Sequence, residues 1–235
     1  MLIRYLQHVP FEGLGCIEGW AQINRHPTRA IKVYAGEPFP PVEELDFLIA
    51  LGGPMNVYQD TAFPFLKPEK RFIESAIQAD KIVLGICLGS QLIADVLGAK
   101  IVRNEHEEIG WFPVEQTSEA AGTKIFSALP GTFTTFHWHG DRFEIPAGAR
   151  RVARSAACPN QAFVYGDRVC GLQFHPEVTK EDLRLMLLYE SGDLKAGAFI
   201  QTAAEMLEEE NRFAENTLLL NCLLSGLMLS ESPQV

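Results

Sequence analysis

The chain has 235 residues, 47% hydrophobic and 21% charged, a balance that fits one large soluble α/β domain better than two small ones. Its 30 acidic residues against 20 Lys and Arg give a formal net charge of -10, with no basic run to offset it, which argues against nucleic acid or an anionic membrane as partner. The five cysteines, Cys16, Cys87, Cys158, Cys170 and Cys222, are odd in number, widely spaced and free of any Cys-x-x-Cys pair, so neither a disulfide framework nor a zinc site is expected and a reducing cytosol fits.

Residues 1–10 have an apolar, strand-like start without a long apolar core or a small-residue cleavage site, and are not read as a signal peptide. Residues 2–6 predict a first strand, His8-Val9-Pro10-Phe11-Glu12-Gly13 a loop, and 14–23 a helix carrying Ile17 and Trp20 on one face. Residues 30–34 predict a second strand, 36–41 a proline-rich turn, and 45–51 a third strand ending in Gly52-Gly53-Pro54. A helix is predicted over 65–79, with Phe72, Ile73, Ala76 and Ile77 inward and Glu69, Lys70, Glu74 and the following Asp80 outward. Strand and helix in alternation predict a doubly wound, mostly parallel sheet with helices on both faces, whose ligand sits outside the carboxyl ends of the strands.

The stretch over 81–97 organises the rest. Ile82, Val83 and Ile86 belong to a compact apolar run suited to a strand buried on both faces. Leu88, Leu92, Ile93, Val96 and Leu97 then follow at helical spacing, and Gly98 ends the helix. Cys87 falls at the junction, with Gly85 and Gly89 two residues to either side. Glycine relieves the crowding of a sharp strand-to-helix turn and the apex side chain is forced outward, the logic of a nucleophile elbow with cysteine in place of serine. A thiol there lies near a helix N-terminus, whose partial positive charge favours thiolate.

From 99 to 174 the pattern turns to successive strands over 99–102, 110–115, 132–136, 150–155, 161–164 and 169–174. Some of these predict a small antiparallel extension, and the last a return to the main sheet. Helices are predicted over 180–189, 195–210 and 212–229, with Ser232-Pro233-Gln234-Val235 as a loose tail. The most apolar segment, 217–229, contains Asn221, Ser225 and Gly226 and is shorter than the roughly 20 residues a membrane span needs.

The second half of the chemistry is Gly171-Leu172-Gln173-Phe174-His175-Pro176-Glu177-Val178. Pro176 breaks the ladder, holds His175 extended and directs its ring out of the strand end. Glu177 can then return to the same side and take the imidazole N–H, giving nucleophile, base and orienter in Cys87, His175 and Glu177. Taken singly these are a small buried residue, a strand-end histidine and a solvated turn carboxylate; their joint occurrence is what points to catalysis.

Gly-Ile-Cys-Leu-Gly-Ser-Gln together with Gln-Phe-His-Pro-Glu-Val resembles the class I glutamine amidotransferase domain, over about residues 1–180. Leu51-Gly52-Gly53-Pro54 and His139-Gly140-Asp141 are closest to its GMP-synthetase-like branch. The resemblance implies a flavodoxin-like three-layer fold. It implies attack by Cys87 on the amide of glutamine, a γ-glutamyl thioester, ammonia leaving with a proton from His175, and no metal or cofactor. It further implies an oxyanion hole from backbone N–H groups at Gly53 and Leu88, and glutamine contacts from Gly52, Gln91, His139, Gly140 and Asp141.

No ATP-pyrophosphatase module and no Gly-x-x-x-x-Gly-Lys-Ser/Thr loop follows, so the ammonia is expected to pass to a separate synthase subunit or to be released. The helical extension over 181–235 is apolar around most of its last helix, and is expected to pack on its own domain or at a homo-oligomer interface, a synthase contact being a third choice. Three readings of function stand: a glutamine amidotransferase or glutaminase, a γ-glutamyl conjugate hydrolase with the same triad, and a non-catalytic binding member of the fold.

Overall fold

The computed structural model describes residues 1–190, 192, 194–208 and 210–229; the Ser232–Val235 tail lies outside them. Apolar runs form the strands β1 (Ile3–Gln7), β2 (Thr28–Lys32), β3 (Phe47–Ala50) and β4 (Ile82–Ile86), with α1 (Cys16–Ile23) and α2 (Leu66–Gln78) between them. The helix α3 (Leu88–Val96) follows β4 directly. Four further strands, β5 (Ile101–Gln116), β6 (Thr132–Phe143), β7 (Ala149–Ser155) and β8 (Ala162–Tyr165), lead to β9 (Val169–Leu172). The chain ends in α4 (Lys180–Glu190), α5 (Ala203–Glu208) and α6 (Glu210–Met228).

All nine strands share one sheet in the order β2-β1-β3-β4-β9-β8-β7-β5-β6. From β2 to β9 the pairings are parallel, and from β9 through β8, β7, β5 and β6 they are antiparallel. The return of β9 beside β4 is what brings the two motif-bearing segments together.

Period-two alternation divides the core into layers. Phe47 and Ile49 of β3, with Ile82, Leu84 and Ile86 of β4, pack toward α1 and α6. Leu48 and Ala50, with Val83, pack toward α2 and α3. The last helix buries Leu219, Leu220, Leu223, Leu224 and Leu227 in the first of these layers, leaving Leu218 exposed. Gly226 permits that approach, since a Cβ there would stand 2.6 Å from the Ile125 Cα. Among the described residues no helix is long and apolar enough to cross a membrane.

Three features depart from the sequence pattern. The polar run Arg103–Glu108 is strand, so that β5 is one continuous element with a register irregularity where it passes β6. The segment expected as helix over 195–210 becomes helical only from Ala203, because Thr202 and Glu205 form a capping box that sets the start there. Glu69, placed outward by helical spacing, is fully buried instead, because it meets the His8 ring 2.7 Å away.

Candidate active site

The turn from β4 into α3 leaves little room. Cys87 takes φ +48°, a strained value for a side-chain-bearing residue. A Cβ on Gly89 would stand 2.0 Å from the Ala50 carbonyl oxygen, and one on Gly85 2.6 Å from the Gly89 backbone. The Cys87 N–H donates to the Leu172 carbonyl at 2.8 Å, tying the Cys87 backbone to β9.

Three residues past the end of β9, the His175 N–H donates to the Phe136 carbonyl at 2.8 Å, and the His175 carbonyl accepts from Asn216 of α6 at 2.9 Å. Held from both sides, the ring places Nδ1 2.8 Å from Glu177 Oε1. A carboxylate only accepts, so Nδ1 carries the proton, and the Cys87 sulfur is close enough to act on the charge of the ring. Burial favours neutral imidazole, but the charges of Glu177 and of the Cys87 sulfur outweigh it and hold the His175 pKa well above its ordinary value. The sulfur also lies 3.6 Å from the Trp138 carbonyl and 3.7 Å from Gln173 Nε2.

These groups open on a cavity of about 400 Å³, within the usual range for a small-molecule site. Gly53, Leu88, Gln91, His139, Gly140 and Asp141 line it. Leu88 is the first residue of α3, so its N–H has no intrahelical acceptor, and Gly53 stands against it. The Gln91 amide donates to Gln173 Oε1 at 3.1 Å and lies 3.4 Å from the Asp141 carbonyl. Asp141 accepts from the Tyr58 hydroxyl at 3.1 Å and faces Arg103 at 3.5 Å. Gly140 packs under the Arg103 guanidinium, and Gly52 offers its carbonyl to His8. The His139 ring turns away from the open space toward Glu108, its Nε2 3.2 Å from Glu108 Oε2.

Several residues of this neighbourhood carry no local signal. A Cβ on Gly52 would meet Glu12 Oε2 at 2.7 Å and His175 Cε1 at 3.0 Å, which puts the Glu12 carboxyl beside the His175 ring. Burial, then the nearby Glu190 carboxyl, raise the Glu12 pKa to about 8, and burial raises Glu190 as well. Phe11 stacks on Tyr189 with ring centroids 4.5 Å apart, closing that side. Burial also lowers the His137 pKa to about 4, while the two histidines beside Glu108 outweigh its burial and lower that carboxyl.

The sequence model for the glutamine amidotransferase class-I family matches residues 22–191. A glutamine amidotransferase-like protein of Salmonella typhimurium is 32% identical over 213 residues, covering 88% of this chain and 89% of that protein. The GMP synthase of Thermomicrobium roseum is 38% identical over 142 residues, which cover 60% of this chain but only 25% of the synthase. A glutamine amidotransferase crystal structure from Thermotoga maritima is similar with a TM-score of 0.89 at 35% identity, covering 98% of both chains, the C-terminal helices included.

Proposed function

The chain belongs to the class I glutamine amidotransferase family, and from that premise we propose that it hydrolyses the side-chain amide of glutamine through a thioester on Cys87. The observation that carries this reading is the grouping of the Cys87 sulfur, the His175 ring and the Glu177 carboxylate, with His175 Nδ1 2.8 Å from Glu177 Oε1 and both Cys87 and His175 lining the cavity. The Cys87 sulfur attacks the γ-carbonyl carbon, and the oxygen takes up the electron pair beside the backbone N–H groups of Gly53 and Leu88. The C–N bond then breaks as the proton on His175 Nε2 passes to the leaving nitrogen, releasing ammonia. Water attacks the thioester, His175 takes its proton, and glutamate leaves with the thiol restored. Glu177 holds the ring in the productive tautomer throughout.

The Gln91 amide and the Gly140–Asp141 backbone receive the amino-acid end of the substrate in this reading, with Gly52 keeping the opposite wall thin. Residues 1–180 form the catalytic unit and the helices beyond it a support packed on the same core. The similarity to GMP synthases favours a separate synthase subunit as the consumer of the ammonia.

A γ-glutamyl conjugate is the second reading, favoured by the extent of the cavity beyond Cys87 toward Arg103, Glu107, Tyr189 and Glu190. Both are tested by one substrate panel. Ammonia release from glutamine, abolished in Cys87→Ala, supports the first. Turnover of γ-glutamyl dipeptides with glutamine inert moves the assignment to the second. Turnover of either substrate by Cys87→Ala overturns both.

A further inference from the structure

Away from the triad, the side chains with the most unmet bonding capacity lie where β5 passes β6. His137 and His139 are two residues apart on one strand and so share a face, with His139 paired against Glu108 of β5. Glu108 and His137 are fully buried and His139 is 5% exposed. His139 Nδ1 lies 3.2 Å from the Asp141 carbonyl oxygen, an acceptor only, so that nitrogen carries a proton. The other nitrogen, Nε2, faces Glu108 Oε2 at 3.2 Å. His137 Nδ1 lies 3.6 Å from the same oxygen.

Neither contact is aligned as a hydrogen bond. Among the described residues, both His137 ring nitrogens, His139 Nε2 and Glu108 Oε1 are buried without a hydrogen-bond partner, although the Phe112 backbone adjoins the His137 ring. Short but misaligned contacts are what a third atom at the apex of a triangle produces. Two ligands each about 2.1 Å from a tetrahedral ion stand about 3.4 Å apart and subtend about 109°, whereas a hydrogen bond prefers an angle above about 150°. The two measured separations bracket that edge, and one ligand atom from each of the three residues falls within 4.8 Å of the others.

The surroundings are also those of a ligand set. Metal-bound histidines donate their second ring nitrogen to a carbonyl or carboxylate, as His139 does to Asp141. Gln161 Nε2 at 2.6 Å and Ser155 Oγ at 3.0 Å both donate to Glu108 Oε2, which fixes the carboxylate and leaves Oε1 as its unpartnered oxygen. Two imidazoles and one carboxylate select a borderline ion such as Zn²⁺ over Mg²⁺ or Ca²⁺.

We propose that Glu108, His137 and His139 form a binding site for a divalent transition metal, zinc by preference, which clamps β5 to β6 behind the pocket. The strand so fixed carries the Trp138 carbonyl that faces Cys87 and continues into Gly140 and Asp141 of the pocket wall. The site is structural and takes no part in the thioester chemistry.

The test uses the purified full chain, stripped with a chelator and reloaded with Zn²⁺ or Co²⁺, read by metal analysis after gel filtration and by Co²⁺ absorption. The expected result is about one tightly held ion per chain and a raised melting temperature. The Co²⁺ spectrum should have the visible bands of nitrogen and oxygen ligation without strong thiolate charge transfer. His137→Gln and Glu108→Gln should each lose the ion, and Cys87→Ala should keep it. If either buried substitution prevents folding, the wild-type Co²⁺ spectrum still decides. A folded wild-type chain with no ion retained at saturating Zn²⁺ overturns the proposal and leaves a proton between His139 and Glu108. Loss of the ion in Cys87→Ala but not in His137→Gln overturns it equally.

Discussion

His8 bridges Glu69 and the Gly52 carbonyl: Nε2 stands 2.7 Å from Glu69 Oε1, and Nδ1 2.8 Å from Gly52 O. Both partners are acceptors, so both ring nitrogens carry protons and the ring is an imidazolium paired with a fully buried carboxylate. Burial alone would lower its pKa, but the charge and hydrogen bond of Glu69 prevail and raise it. The pair pins the loop from Gly52 to Gly53, where the oxyanion is proposed to form.

Glu69→Gln should therefore cost about 3–5 kcal/mol of stability below neutral pH, the usual penalty for stripping one partner from a buried pair. The folded-state pKa of His8 lies above its ordinary 6.5, so the contribution is complete below that value and is lost as pH rises through the higher one. Urea denaturation at about pH 6 and about pH 9 measures it, and the gap between wild type and variant should narrow at the higher pH. A penalty equal at both pH values would mean the ring is not charged in the fold.

A diazoketone analogue of glutamine should label Cys87 and no other cysteine. Burial pushes the Cys16 and Cys158 thiols up to about 12 and Cys170 higher still, so none of these is a nucleophile near neutrality. Cys222 is exposed and does not line the cavity, and a general alkylator such as iodoacetamide should reach it where the analogue does not. Mass spectrometry of the peptides decides. An adduct on Cys16 or Cys222 in place of Cys87 would remove the elbow from the mechanism. The same reasoning gives Cys87→Ala a loss in kcat of at least about 10³-fold with an unchanged circular dichroism spectrum.

What was legible beforehand was whatever the local chain dictates. Gly85-Ile86-Cys87-Leu88-Gly89 sets its own turn, so the strand-to-helix corner was legible from spacing, whereas His175 is held by Phe136 and Asn216 from elsewhere in the chain. Glu69 was not legible, since only a histidine 61 positions earlier reverses its helical facing. The polar run Arg103–Glu108 reads as loop because its strand pairing comes from β6, some 30 residues on. Glu12 and Glu190 meet from opposite ends of the chain, and Gln173 lies within a recognised motif yet shows its role only when Gln91 is beside it.

Glu177→Gln should move the alkaline limb of the pH–rate profile to lower pH. In the native site the imidazolium is stabilised, against burial, first by Glu177 and then by the Cys87 sulfur, so His175 keeps its proton well above the ordinary range. Removing the larger favourable charge lets the ring lose that proton earlier, leaving no acid for the departing nitrogen. The expected loss in kcat is about 10²–10⁴-fold with a smaller change in KM. A profile with its alkaline limb unmoved would show that Glu177 only positions the ring.

Asn216 joins the last helix to His175, the proposed catalytic base. Its amide donates to the His175 carbonyl at 2.9 Å, and its oxygen accepts from the Thr135 hydroxyl at 2.8 Å, all within the core. Asn216→Ala strands both partners, at about 1–3 kcal/mol for a buried group left unpaired. It also frees the backbone that aims the imidazole, so kcat should fall by about ten-fold or more. Thr135→Val separates the two effects, because it keeps the amide on His175 while losing the hydroxyl. It should lower the melting temperature and leave kcat within about two-fold of wild type. If both variants lose stability but neither loses kcat, α6 only fills the core, and its tie to His175 has no catalytic consequence.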